Sequence, residues 1–66
     1  MYEITTWVQG GKREFVIAFE NRIDAIDLFE LYFTHMQQLG HDVFVSTMDG
    51  YGAVLVNGRL HHFEVD

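Results

Sequence analysis

The chain has no cysteine and no proline, and its four Lys and Arg stand against ten Asp and Glu. Without cysteine there is no disulfide framework and no thiolate zinc site. Without proline, no strand or helix loses a backbone donor. The shortage of basic residues leaves a formal charge of −6. That charge disfavours direct nucleic-acid binding, because phosphate contacts need a basic patch. A basic protein partner suits it better, although acidity also serves solubility. No stretch approaches the ~20 apolar residues of a membrane span; the longest uninterrupted apolar run is Phe15-Val16-Ile17-Ala18-Phe19. The first residues, Met1-Tyr2-Glu3-Ile4, have neither the basic start nor the apolar segment of a secretory signal. The expected location is the cytoplasm of the producing or host cell.

Hydrophobic residues make up 48% of the 66, and aromatic residues 15%, a composition that argues against disorder. The length allows one domain, residues 1–66. Surface scaling gives roughly 4,300 Å² exposed when folded against about 11,000 Å² unfolded. A core of that size is marginal and calls for a metal, a partner subunit or very apolar packing.

Three glycine pairs punctuate the chain: Gly10-Gly11, Asp49-Gly50 and Asn57-Gly58, each flanked by β-type residues. Each reads as a two-residue hairpin turn, which needs positive φ at its centre. Centring the first hairpin on its turn pairs Tyr2 with Phe19, Ile4 with Ile17 and Thr6 with Phe15. Those six form an apolar face, and Glu3, Thr5, Trp7, Glu14, Val16 and Ala18 form the other.

A helix is expected over about Arg22 to Leu39, with Asn21 as N-cap and Gly40 as the left-handed stop. At 100° per residue, Ala25, Ile26, Leu28, Phe29, Tyr32, Phe33, Met36 and Leu39 share one arc. Such a stripe covers a sheet. Three strands follow, about Asp42–Met48, Tyr51–Val56 and Arg59–Val65. Centred on its turn, the Asp-Gly hairpin pairs Val45 with Val54 and Phe44 with Leu55. The Asn-Gly hairpin pairs Leu55 with Leu60 and Gly52 with Phe63. The fold class is α+β: ββαβββ, a five-stranded antiparallel sheet with one helix across one face. A right-handed crossover brings the third strand back parallel to the second, and the first strand pairs with either the third or the fifth.

Both faces of the last three strands are apolar: Val43, Val45, Val54, Val56, Phe63 and Val65 on one, Phe44, Met48, Tyr51, Ala53, Leu55 and Leu60 on the other. One helix covers one face only. The other is expected to present Trp7, Val16, Phe44, Tyr51, Leu55 and Leu60, unless the sheet curls onto itself. Contiguous apolar surface of this kind marks an interface, with another protein or a second copy. A second candidate surface is the helix's outward side, where Asp24, Asp27 and His35 surround Leu31. No Lys or Arg lies four residues from either aspartate to neutralise it.

Catalytic and metal motifs are missing. His61 and His62 are adjacent on a strand and point to opposite faces, and the histidines are expected to be exposed. His35, His41 and Asp42 near the helix end offer the best remaining metal set. Ser46, the single serine, sits inside a strand without a nucleophile elbow. The expectation is a non-enzyme without cofactor or metal.

In size, charge and ββαβββ patterning the chain resembles phage-encoded inhibitors of host nucleic-acid enzymes, including DNA mimics. The resemblance implies an inhibitor or regulator that occupies a basic protein surface, with Glu20, Asp24, Asp27 and Glu30 standing in for phosphates. A homo-oligomeric assembly module is the second expectation. A nucleic-acid binder that stacks bases on Trp7, beside Lys12, Arg13 and Arg59, is the third.

Overall fold

The structure is a computed structural model that describes all residues, Met1–Asp66. Its elements are β1 (Tyr2–Val8), β2 (Glu14–Phe19), α1 (Arg22–Gln38), β3 (Asp42–Ser46), β4 (Tyr51–Val56) and β5 (Arg59–Val65). The strands form one antiparallel sheet in the order β2-β1-β5-β4-β3, with α1 across one face. β1 therefore pairs with β5, Ile4 to Val8 lying against Val65 to His61. β2 and β3 are the two edges and run parallel to each other with three strands between them.

The Asn57-Gly58 turn has the two-residue form its composition requires. Both residues take positive φ, 52° and 76°, and Leu55 faces Leu60 as expected. The other two glycine pairs do not make two-residue turns. Asp49-Gly50 ends a four-residue loop, Thr47–Gly50, that places Val45 against Gly52 and Val43 against Val54. The shift of two residues keeps every side chain on its expected face, because strand periodicity is two. Gly10-Gly11 lies in the longer connection between Val8 and Glu14.

The first hairpin holds a larger departure. Tyr2 faces Phe19 and Ile4 faces Ile17, but Thr5 then faces Phe15 and Thr6 faces Glu14. Val16 is thus an extra residue, a β-bulge, and the alternation of β2 changes phase there. Phe15 moves to the side of Thr5, away from the helix.

The helix begins after Asn21, whose side chain makes no capping bond, although its carbonyl accepts from the Ala25 amide. It ends before Gly40, whose φ of 91° is the left-handed stop. Ala25, Phe29 and Phe33 form its buried edge, and Phe29 and Phe33 cluster with Val54 of the sheet. Each fully buried aromatic contributes roughly 1.5–3 kcal/mol. Phe33 meets Phe29 and Phe63 edge-on, at centroid distances of 4.8 and 5.5 Å. Leu28 and Leu39, expected in this stripe, are exposed. No helix is long and apolar enough to cross a membrane.

Candidate functional site

The face of the sheet opposite α1 is built from register. At one level across the strands stand Phe44 (β3), Ala53 (β4), His62 (β5) and Trp7 (β1), each opposite the next. Arg13, just before β2, continues the row, its guanidinium 4.1 Å over the Trp7 ring. The His62 imidazole also stacks on the indole, at 5.0 Å and 12°. Trp7 is therefore packed against both a cation and an imidazole. Arg13 also forms the chain's one ion pair, with Glu64 at 2.6 Å. That bond holds the Glu64 carboxyl below its ordinary pKa. Asp66 moves the other way: lost hydration, and then the neighbouring Glu64, push its carboxyl up.

His62 corrects the expectation of exposed histidines: it is only 9% exposed. Burial is tolerated because both ring nitrogens are satisfied. The Tyr51 hydroxyl lies 2.6 Å from Nδ1, and Gln9 Oε1 lies 2.5 Å from Nε2. In the tautomer protonated at Nε2, that nitrogen donates to Gln9 and Nδ1 accepts from Tyr51. The network ties β1, β4 and β5 together and orients the aromatic row before any partner arrives. Thr5 lies beside it, opposite Glu64, with its hydroxyl buried and unpartnered.

Of the residues expected on this face, Trp7, Phe44, Tyr51, Leu55 and Leu60 are there. Phe44 is 60% exposed, and Leu55 and Leu60 are also open to solvent, so the sheet does not curl to cover them. Val16 is the exception. The bulge turns it to the helix side, where it lines an apolar cleft of about 180 Å³ with Ile4, Leu28, Phe29, Tyr32 and Phe63. Phe15 takes its place on the far face. Sequence reasoning also missed His62, Gln9 and Arg13. The pairing of Trp7 with His62 follows from β1 lying beside β5, and no local pattern encodes that adjacency.

On the opposite side of the molecule, the outward arc of α1 carries Asp24, Asp27, Glu30, Leu31 and His35, all exposed, and Glu20 precedes it. Two large apolar residues stand out, Ile23 at 74% and Leu31 at 67% exposure. Ile23 was not foreseen here. Arg22, the one cation of the helix, does not neutralise the acids. Its Nη2 donates to the carbonyls of Thr47 and Met48, at 3.3 and 3.1 Å, and pins the helix start to the β3–β4 loop.

No three His, Asp or Glu side chains converge as metal ligands would, those of His35, His41 and Asp42 included. The Ser46 hydroxyl donates to Asp49 Oδ2 at 2.7 Å, a bond that closes the β3–β4 loop. No protein-family model, curated protein or solved structure matches the chain.

Proposed function

We propose that this chain is a small acidic, non-catalytic modulator that docks the outward side of α1 on a basic surface of another protein, such as a nucleic-acid enzyme. The observation that carries the reading is the unneutralised acidic arc around Ile23 and Leu31, with the nearby Arg22 committed to loop carbonyls. Apolar anchors within a charged rim are the usual anatomy of a protein interface, and complementary charge sets partner choice and encounter rate. Asp24, Asp27 and Glu30 follow one another at three-residue intervals, about 4.5 Å of helix axis per carboxylate. One DNA strand carries a phosphate about every 3.4 Å, so the spacing suits a cleft that holds nucleic acid. Trp7 is already packed against Arg13 and His62, which speaks against base stacking as the mode of action.

The test compares the parent chain with a D24K/D27K variant, each immobilised and challenged with nuclease-treated bacterial lysate. The reading expects nucleic-acid-binding proteins retained by the parent at low salt, released as salt rises and lost with the variant. Equal retention by both chains excludes the acidic arc as the docking surface.

A further inference from the structure

The apolar face on the other side of the sheet needs an occupant of its own, and its layout is self-complementary. In the order β2-β1-β5-β4-β3 the central strand is β5. A two-fold axis laid along β5, between two copies face to face, exchanges β1 with β4 and β2 with β3. Under that operation the large Trp7 of each copy falls over the small Ala53 of the other, because both belong to the row through His62. Leu60 meets Leu60 on the axis. Phe44 of β3 falls over the hairpin end that carries Arg13, which places an aromatic ring against a cation. Like charges oppose on the axis at Glu64 against Glu64, where each carboxylate is already held by its own Arg13 at 2.6 Å, and at the strand's end, Asp66 against Asp66.

The size of the face fits as well. The molecule measures 33 × 26 × 17 Å, so its broad side spans at most about 800 Å², and a partner that covers most of it approaches the area a stable interface uses. The fold by itself is thinly packed. It exposes 4610 Å² and buries nine of 66 residues, and small domains without disulfides commonly gain their remaining stability from a partner subunit. Two sheets stacked about 10 Å apart would bury Phe44, Leu55, Leu60 and Phe15 in a sandwich core.

We infer that this face is closed by a second copy of the chain, related by a two-fold axis along β5, with the two acidic helices on the outside. The inference goes beyond the helix-docking reading and uses the opposite side of the molecule. Each copy carries −6, so the dimer should tighten as salt screens the repulsion, whereas helix docking on a basic target should weaken.

The experiment is light scattering after gel filtration, over a concentration series at low and high salt, for the parent, F44E and R13A chains and an R13A/E64Q double variant. The expected parent is a dimer of twice the 7.7 kDa chain mass. F44E should raise the dissociation constant about thirtyfold or more, as loss of an interface anchor does. Phe44 is exposed on an edge strand, so this variant keeps its fold, checked by circular dichroism. R13A should weaken the dimer by exposing the opposed glutamates, and the double variant should recover much of the loss. Because the chain has no cysteine, single-cysteine variants report the axis directly. L60C should couple to itself through a short bis-maleimide, and L31C should not. A monomer at every concentration and salt, a dimer indifferent to F44E, or equal coupling of L31C and L60C would each overturn the inference. None of these outcomes touches the salt-released binding by which the helix reading is judged.

Discussion

Phe33 packs so closely on Gly52 that a Cβ at residue 52 would stand 2.6 Å from two of its ring carbons and 3.1 Å from Phe29. A glycine inside a central strand ordinarily weakens it. Here the missing side chain is the seat for the helix, which can approach the sheet only where β4 offers bare backbone. An open apolar cleft remains beside the helix, lined by Leu28, Phe29 and Tyr32 of α1 and by Ile4, Val16 and Phe63 of the sheet.

Replacement of Gly52 by alanine should therefore destabilise the fold by about 1–3 kcal/mol, the usual cost of overpacking. Urea denaturation measures it. A second change, Phe33→Leu, should cost less in the G52A chain than in the parent, since the two side chains compete for one space. If G52A is as stable as the parent, the helix is free to lift and the contact is not tight.

The His62 network should behave as a unit. Tyr51→Phe should cost about 0.5–1.5 kcal/mol, the net worth of one hydrogen bond. His62→Ala should cost more, because it unseats Trp7 and leaves the Tyr51 and Gln9 groups unpaired. The double variant should fall short of the sum by about 0.5 kcal/mol or more. Strict additivity in denaturant melts would show that the Tyr51 and His62 side chains act independently.

Acid stability should depend on Glu64. Its folded pKa is depressed by the Arg13 hydrogen bond, so its contribution is present above the ordinary glutamate pKa. It is lost as pH falls through the lowered folded value. Asp66, with its raised pKa, contributes in the opposite sense: its share is present below the ordinary aspartate value and fades as pH rises through the folded one. Thermal melts should show the parent ahead of Glu64→Gln near neutrality, with the gap closing in acid. Asp66→Asn should show no such closing gap. A constant difference between parent and E64Q across the acid range would contradict the pairing.

Thr5 carries a buried hydroxyl without a partner, a cost of about 1–3 kcal/mol to the fold. Valine has nearly the same shape and suits a strand. Thr5→Val should raise the denaturation midpoint, and a lowered midpoint would reveal a hydrogen bond to that hydroxyl.

Element types were legible because they rest on local physics. Asn57 and Gly58 demand a two-residue turn through positive φ. Gly40 stops the helix, and the apolar period of Ala25, Phe29 and Phe33 sets its buried edge. The outward acids of α1 were read from the same periodicity. The bulge at Val16 was not readable, because an uninterrupted apolar run from Phe15 to Phe19 carries no alternation from which to detect a change of phase. The loop ending at Gly50 misled for a related reason: Asp-Gly fits both a two-residue turn and the end of a four-residue one.

By itself the sequence determined the ββαβββ order, the single helix and the presence of one apolar face more than a helix can cover. Each follows from residue type and spacing over a few neighbouring positions. Only the tertiary structure decided that β1 lies beside β5, and with it the meeting of Trp7, His62, Gln9 and Arg13. His62 and Gln9 are 53 residues apart in the chain. Contacts at that distance depend on which strand edges remain free once the helix has docked on Gly52, and no local pattern carries that information.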